Sequence, residues 1–226
     1  MNRIYIISNY NYDPTEVIET LNADYILCQQ GDDSKVPDKF KKLPNYKIAK
    51  HTGHNISDYL EYIISNYDNL PEEVGFIKGN IFPRHITKEV FKYRIQGSGF
   101  IPLYSDENTS KPQFGKRKWI FKKLVAQQIA PGIYLEIAND WYISSRQRGK
   151  HYPTLDSLFY KITNRKLPEY ISFAPGACMI VEKEKILRFN LDLYKELYEA
   201  VTYDFFPVEA YHLERCMFYL FSYLRD

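Results

Sequence analysis

Residues 46–85 decide the fold, and they read YKIAKHTGHNISDYLEYIISNYDNLPEEVGFIKGNIFPRH. Residues 46–49 predict a short strand, and Gly53 marks the turn after it. The apolar residues that follow recur at helical spacing and predict an amphipathic helix: Ile56, Tyr59, Leu60, Ile63, Ile64 and Tyr67. Residues 74–77 form an apolar run between Pro71 and Gly79, which indicates a buried strand. A ligand-binding site is expected just beyond this strand, because open α/β sheets bind ligands outside the carboxyl ends of their strands.

The residues upstream repeat this alternation of strand and helix. Residues 4–7 and 24–28 predict two strands. Asp13 followed by Pro14 predicts the start of a helix between them, because Asp is a favoured N-cap and Pro fits the first helical position. The alternation predicts an α/β fold with a mostly parallel central sheet and helices on both faces.

The second half of the chain is less regular. Helices are expected at residues 87–94, 119–127, 154–162, 191–201 and 207–224. Strands are expected at residues 100–104 and 134–138, and residues 171–173 and 178–181 are expected to form a strand pair.

The composition selects no class of partner. Of the 226 residues, 45% are hydrophobic, and the formal net charge is +2. The three cysteines lie far apart without a CxxC motif, which fits buried thiols in a reducing compartment. No apolar run approaches about 18 residues, and the N-terminus does not read as a signal peptide. We therefore expect a cytoplasmic protein without a transmembrane segment; the inner face of a membrane is the alternative location.

Polar side chains follow the predicted strands at the points where the strands end. The residues expected to bind a ligand there are Ser8, Asn9, Tyr10, Asp32, Asn55, Lys78, Asn80 and Arg84. A tyrosine can stack on a base, a carboxylate can accept from ribose hydroxyls, and cations can hold phosphates, so this set suits a nucleotide. The alternative is that these residues are polar only because loops are polar. No GxGxxG or GxxxxGKS/T motif occurs, which argues against a Rossmann dehydrogenase and a P-loop NTPase.

Two groups of residues carry a family resemblance. The first comprises Gly53-His54-Asn55, residues 59–63, residues 66–71 and Phe76-Ile77, and the second comprises residues 173–177, Val181 and residues 209–215. Together they resemble a glycosyltransferase-like family with the GT-A fold, over roughly two-thirds of the chain. The resemblance implies one GT-A-like domain over residues 1–226, with a nucleotide-binding half at 1–85 and an acceptor-side half at 86–226.

The resemblance also implies an activity. It points to a glycosyltransferase of the hexosyltransferase class, which moves a sugar from a nucleotide-sugar donor, with a UDP-sugar favoured, to a glycan or another hydroxyl acceptor. The implied setting is polysaccharide biosynthesis at a cell surface. The alternative is a catalytically silent GT-A-like domain that binds a nucleotide-sugar or a protein.

One position departs from the family pattern. Many GT-A enzymes place Asp-x-Asp after the fourth strand to hold Mn²⁺ or Mg²⁺, whereas this chain has Lys78-Gly79-Asn80. Lysine cannot ligate these ions, so Asn80 is at most one metal ligand and the metal is either absent or held elsewhere. Cations would then stabilise the departing diphosphate, and Lys78, Arg84, Arg146, Arg148 and Lys150 are the candidates. For the last three, the alternative is a solvated basic loop.

An inverting transfer needs a carboxylate that deprotonates the acceptor hydroxyl. Glu209 and Asp156 are the predicted catalytic residues, with Asp204 and Glu214 as further candidates. Glu214 precedes Arg215 among apolar neighbours, so a buried structural ion pair is the favoured interpretation of that residue.

A different class of function rests on the basic residues between Lys111 and Lys123, with Trp119 and Phe121 as stacking groups for single-stranded nucleic acid. The near-zero net charge and the lack of a nucleic-acid motif argue against it, and we predict no nucleic-acid partner.

Overall fold

The computed structural model describes residues 2–105, 112–114, 124–139, 142–143 and 149–222. The strands among them are β1 (Arg3–Tyr10), β2 (Tyr25–Gln30), β3 (Tyr46–Ile48), β4 (Glu73–Lys78), β5 (Ile101–Pro102), β6 (Gln113–Phe114), β7 (Leu124–Ala130), β8 (Ile133–Ile137), β9 (Tyr170–Phe173) and β10 (Met179–Glu182). The helices among them are α1 (Thr15–Leu21), α2 (Asp38–Lys41), α3 (His54–Asn66), α4 (Lys88–Arg94), α5 (Leu155–Thr163), α6 (Lys183–Ile186), α7 (Leu191–Val201) and α8 (Val208–Phe221).

The central sheet is mixed and has the order β3-β2-β1-β4-β10-β5. The first four of these strands run parallel to one another, and β10 runs antiparallel to both β4 and β5. The predicted α/β class is confirmed, with one reversed strand inside the sheet. Because β5 and β10 follow residue 86 in the chain, both predicted halves contribute to the same sheet.

Helices cover both faces of this sheet. Because successive side chains of a strand point to opposite faces, each central strand contributes to the core on both sides. In β1, Ile6 packs in the cluster that contains the apolar faces of α3, α5, α7 and α8. Tyr5 and Ile7 pack in the cluster on the other face, which includes residues of α1, α2 and α4. The core residues of β4 divide in the same way, with Phe76 on the first face and Ile77 on the second.

A second, antiparallel sheet with the order β6-β7-β8-β9 was not predicted. The predicted helix at 119–127 is wrong for residues 124–127, which lie in β7, and residues 119–123 are outside the described part of the chain. The predicted pairing of residues 171–173 with 178–181 is also wrong, because β9 pairs with β8 whereas β10 pairs with β4.

Helix α8 joins the two sheets. The Nε of Arg215 lies 3.0 Å from Oε2 of Glu136 in β8, and both side chains are buried. The guanidinium also lies 3.5 Å from the ring centroid of Tyr142. The hydroxyl of Tyr219 accepts a hydrogen bond from the Ser172 N–H of β9 at 3.0 Å. These contacts fix which side of α8 faces the second sheet.

Several predicted elements are confirmed by their caps. The side chains of Thr87, Thr154 and Asn190 accept hydrogen bonds from the first turns of α4, α5 and α7, which satisfies backbone donors that have no partner within the helix. The predicted edge strand at 100–104 is present as the short strand β5. Among the helices described, none has both the length and the apolar character that crossing a membrane requires.

Candidate functional site

A cleft opens at the carboxyl ends of β1 and β4. After β1 the chain adds β2 and β3 on one side of that strand. It then crosses back and adds β4 on the other side of β1. Such a reversal of strand order is where open α/β sheets bind their ligands. The cleft has a volume of about 670 Å³, which is within the range of small-molecule sites.

The end of β1 supplies two of the predicted ligand-binding residues. Ser8 and Tyr10 line the cleft. Asn9 does not, because alternate residues of a strand face opposite ways. Its buried Nδ2 donates to Oε1 of Gln29 at 2.6 Å and to the Tyr12 carbonyl at 2.8 Å. Asn9 therefore supports the loop after β1. It does not line the cleft, contrary to the prediction.

The end of β4 supplies the cationic side of the cleft. Lys78 and Asn80 line it, and so does Arg84 a few residues further on. Lys78 is half-buried and Arg84 is exposed. At Gly79, which follows Lys78 in the chain, a Cβ would lie only 1.9 Å from Oδ1 of Asn9. Glycine therefore lets the two strand ends approach, and its N–H donates to the Ser8 carbonyl at 2.8 Å.

Two further predicted ligand-binding residues have different outcomes. Asn55, in the first turn of α3, lines the cleft. Asp32 does not line it: the side chain is exposed and accepts from the N–H of Ser34 at 2.9 Å and its hydroxyl at 2.6 Å. Asp32 thus stabilises its own loop, and sequence could not exclude this because a carboxylate after a strand suits either role.

The wall opposite the strand ends is formed around Gly176 and Glu214. Oε1 of Glu214 accepts from the Gly176 N–H at 2.8 Å, and the Gly176 carbonyl accepts from Nδ2 of Asn55 at 3.3 Å. Burial alone would raise the pKa of the Glu214 carboxyl, but the Arg215 and Lys78 cations and the Gly176 N–H hold it below the ordinary value. Glu214 is therefore a carboxylate at neutral pH, facing the cleft.

The placement of Glu214 differs from its sequence interpretation. The stronger partner of Arg215 is Glu136 at 3.0 Å, whereas Oε2 of Glu214 lies 3.8 Å from the Arg215 guanidinium. Ala210, Tyr211 and Glu214 all line the cleft, at relative positions of one face of a helix. That spacing was visible in the sequence, but which face of α8 meets the cleft depends on tertiary packing.

The two predicted catalytic residues lie outside the cleft, which corrects both assignments. Glu209 is fully buried, and its carboxylate accepts from the backbone N–H groups of His151 and Tyr152 at 2.6 and 3.2 Å and from the Tyr203 hydroxyl at 2.7 Å. It thus anchors the loop before α5. Asp156 is exposed in the first turn of α5, where it accepts from the Leu167 N–H at 3.2 Å.

Of the other predicted diphosphate cations, Lys150 is the one that the structure describes. Lys150 is exposed, does not line the cleft, and lies 5.5 Å from the centroid of the Tyr203 ring. Arg146 and Arg148 lie outside the described residues. The same is true of Lys111 and residues 115–123, which carry the nucleic-acid alternative.

A buried acid that sequence reasoning missed lies beneath the cleft. Asp58 of α3 is 3% exposed, and its Oδ2 accepts from the Ser8 hydroxyl at 2.5 Å. Burial raises the pKa of Asp58 to about 7, although the hydrogen bonds from Ser8 and Gln30 oppose this shift. The available signal was a lone carboxylate between Ile56 and Tyr59, on the apolar side of the predicted helix.

Aromatic rings form the outer rim of the cleft. Tyr10 stacks on His51 with ring centroids 5.1 Å apart, and the Phe205 ring lies 5.0 Å from Tyr10. Phe206 and Tyr211 line the cleft, are 45% and 36% exposed, and lie nearly parallel at 6.3 Å. Exposed rings of this kind can pack against the apolar face of a base or a sugar.

The residues of this cleft do not fit a divalent metal. Among the described residues that line it, Glu214 is the single carboxylate, and one of its oxygens accepts from Gly176. Hard cations require several oxygen ligands, whereas Lys78, at the end of β4, brings a positive charge to the cleft. No group of three or more potential His, Cys, Asp or Glu ligands occurs within the described part of the chain.

The chain belongs to a family described as "Protein of unknown function (DUF3431)", whose family model matches residues 35–224. That match includes the cleft residues from β4, α3 and α8, and it begins after β1 and β2. No curated protein and no solved structure matches the chain.

Proposed function

We propose that this protein is a glycosyltransferase that moves a sugar from a nucleotide-sugar donor to a hydroxyl group of a glycan or another acceptor. The observation that carries the proposal is the juxtaposition of Tyr10, Lys78, Arg84 and Glu214 around one cleft at the reversal of strand order. The resemblance to GT-A glycosyltransferases supports the same reading, and the α/β layers are compatible with a GT-A-like fold.

The donor is proposed to bind along the ends of β1 and β4. Lys78 and Arg84 supply two positive charges for a diphosphate, and Arg84 can hold two phosphate oxygens at once through its planar guanidinium. Tyr10 and Tyr12 also line the cleft and offer rings on which a base can stack. A UDP-sugar is the favoured donor on the family resemblance.

The departure of the diphosphate is proposed to depend on these side chains. When the bond between the anomeric carbon and the diphosphate oxygen breaks, negative charge develops on that oxygen. Preorganised cations stabilise such charge most effectively in a site from which water is excluded. Because the described cleft residues do not fit a divalent metal, the proposal assigns this role to Lys78 and Arg84.

Glu214 is the carboxylate best placed for the acceptor. In the proposed reaction Oε2 of Glu214, which does not accept from Gly176, removes the proton of the acceptor hydroxyl. The acceptor oxygen forms a bond to the anomeric carbon, and the nucleoside diphosphate leaves. The lowered pKa of Glu214 keeps it deprotonated near pH 7, which a base requires. Replacing a general base typically reduces the rate by about 10²- to 10⁴-fold.

The first test measures donor binding by thermal shift. UDP-, GDP-, CMP- and dTDP-linked sugars are compared, with and without Mn²⁺, and a ligand at 100 times its Kd is expected to stabilise the fold by about 2.7 kcal/mol. Arg84→Gln should abolish the shift, while the matched control Lys150→Gln should preserve it, because Lys150 lies outside the cleft. A complete lack of shift in the wild type would refute the proposal.

A silent nucleotide-sugar-binding domain is the second candidate. The observation favouring it is that both predicted catalytic carboxylates lie outside the cleft, leaving Glu214 alone among the described lining residues. Release of nucleoside diphosphate from the bound donor separates the two functions. A transferase releases it with the wild type and loses that activity with Glu214→Gln at nearly unchanged donor affinity, whereas a silent domain binds without release.

A further inference from the structure

His85 has no hydrogen-bond partner for its side chain among the described residues. The residue is 8% exposed and lines the cleft, and both of its ring nitrogens are buried. Its backbone is fixed on both sides, because its N–H donates to the Ile81 carbonyl at 2.8 Å and its carbonyl accepts from the Ser105 N–H at 2.6 Å. The backbone of His85 is thus held in place, while the part of the chain that the structure describes offers its imidazole no hydrogen-bond partner.

The surroundings of the ring leave little freedom. A Cβ at Gly176 would lie 3.1 Å from Cε1 and 3.2 Å from Nδ1 of His85, so glycine admits the ring at this wall. The ring of Tyr104 has its centroid 5.8 Å from that of His85. Buried polar atoms in proteins are nearly always hydrogen-bonded, so two orphaned nitrogens in one ring require an explanation. Because the residue lines the cleft, a polar atom of a bound ligand can provide a partner for the nitrogen that lies towards it.

The chemistry of the ring narrows the class of that ligand. Burial, followed by the charges of Lys78 and Arg84, lowers the pKa of His85 to about 3; Glu214 opposes this shift and His54 adds to it. A neutral imidazole has one nitrogen that donates and one that accepts. A phosphate oxygen carries no hydrogen near neutral pH to give to the accepting nitrogen. Hydroxyl groups both donate and accept, so a hydroxyl can pair with either nitrogen of the ring.

We propose that His85 binds hydroxyl groups of the donor's sugar ring and thereby contributes to the choice of sugar. In a UDP-, GDP- or dTDP-linked sugar, the sugar is bonded directly to the diphosphate, and His85 follows Arg84, one of the two cations assigned to that diphosphate. The ring also packs against Gly176, which is hydrogen-bonded to Glu214. This inference rests on the proposed function and names the part of the donor that the site recognises.

The experiment compares each nucleotide with its own sugar conjugate. Dissociation constants are measured by calorimetry for UDP and UDP-glucose, GDP and GDP-mannose, CMP and CMP-sialic acid, and dTDP and dTDP-glucose. The proteins are the wild type, His85→Phe, His85→Gln and the matched control His151→Phe, whose side chain is exposed and outside the cleft. The informative quantity is the ratio between the Kd of the free nucleotide and the Kd of the conjugate.

We expect His85→Phe to reduce this ratio about tenfold or more while the Kd of the free nucleotide changes less than threefold, since the lost hydrogen bonds go to the sugar. His85→Gln should restore part of the ratio, because its amide keeps a donor and an acceptor. His151→Phe should leave the ratio unchanged. The melting temperature of ligand-free His85→Phe should equal or exceed that of the wild type, because the substitution removes two buried polar atoms that no described residue hydrogen-bonds.

Three outcomes would overturn the inference. A ratio that His85→Phe leaves unchanged would show that the sugar does not contact His85, while the proposed function would stand. An equal loss of affinity for nucleotide and conjugate would place the contact on the base or the phosphates. If no ligand binds the wild type, the proposed function fails, and the assignment of His85 fails with it.

Discussion

Replacing Asp58 by asparagine is expected to remove a specific pH dependence from the stability of this protein. Asp58 is buried beneath the cleft, where its carboxyl group accepts from the Ser8 hydroxyl. Burial raises its pKa from 3.8 to about 7 in the folded chain. The folded state therefore holds this proton more tightly than the unfolded chain does. The resulting stabilisation is complete below pH 3.8 and is lost as the pH rises through 7.

The magnitude follows from the two pKa values. Over the full range the difference of about 3 corresponds to about 4 kcal/mol, at 1.36 kcal/mol for each pKa unit. Between pH 8 and pH 5 the expected contribution is about 2.5 kcal/mol, because the folded form is almost fully protonated at pH 5 while the unfolded form is still ionised. His85 acts in the opposite direction, since its pKa of about 3 makes the fold less stable below pH 6.5.

The assay isolates Asp58 by difference. Urea unfolding of the wild type and Asp58→Asn is measured from pH 5 to pH 8, and the two free energies of unfolding are subtracted at each pH. Contributions from His85 and other groups cancel in this difference. A constant loss from altered hydrogen bonding shifts the difference equally at every pH, so the change of the difference with pH reports Asp58. We expect the wild type to gain about 2.5 kcal/mol relative to the variant between pH 8 and pH 5. A difference that changes by less than about 0.5 kcal/mol between pH 5 and pH 8 would refute the reasoning.

Two further predictions concern residues that hold the site together. Glu209→Leu leaves two backbone N–H groups and a tyrosine hydroxyl without their acceptor, so the free energy of unfolding should fall by at least about 2 kcal/mol; Glu209→Gln should lose less, because its oxygen still accepts. Equal losses in thermal unfolding would contradict the anchoring role. Gly79→Ala should destabilise the protein by about 1–3 kcal/mol and weaken nucleotide binding, because the new Cβ meets Asn9 at 1.9 Å. Adding Asn9→Ala should recover part of the loss, and strictly additive effects in a double-mutant cycle would exclude this clash.

Local patterns in the sequence were sufficient for much of the central sheet. The apolar run at residues 74–77 lies within β4, and the helical spacing from Ile56 to Ile63 lies within α3. Both signals are strong because each element buries a face against a continuous core. The cap at Thr154 was likewise readable, because an N-cap depends only on the first turn of its own helix.

The second sheet was harder to predict because its strands depend on distant partners. Residues 124–127 were interpreted as the end of a helix, although Pro131-Gly132 marks a hairpin turn between β7 and β8. A short apolar segment is ambiguous between strand and helix, and the turn dipeptide was the signal that could have decided it. The pairing of β9 with β8 could not be predicted, because it joins residues that are far apart in the sequence, such as Tyr134 and Phe173.

The candidate site shows the same division between local and tertiary information. The tips of β1 and β4 were predicted because the carboxyl ends of parallel strands lie at one edge of a sheet. To choose between Glu209 and Glu214, one must know which face of α8 meets the cleft. Tertiary contacts such as that between Arg215 and Glu136 determine that face. Asp58 was missed, and the role of His85 beyond β4 was not predicted, because the properties of both residues arise from burial, which sequence spacing alone does not reveal.

The reversed strand β10 has a consequence for folding during synthesis on the ribosome. Met179 of β10 pairs with Phe76 of β4, so the segment that covers this side of β4 emerges about a hundred residues after β4 itself. Until then, the newly made β4 has a bare edge next to the cations of the cleft. Unpaired edges of this kind recruit other chains into aggregates. Nascent chains stalled before residue 179 should therefore need a chaperone that full-length chains, once released, no longer require.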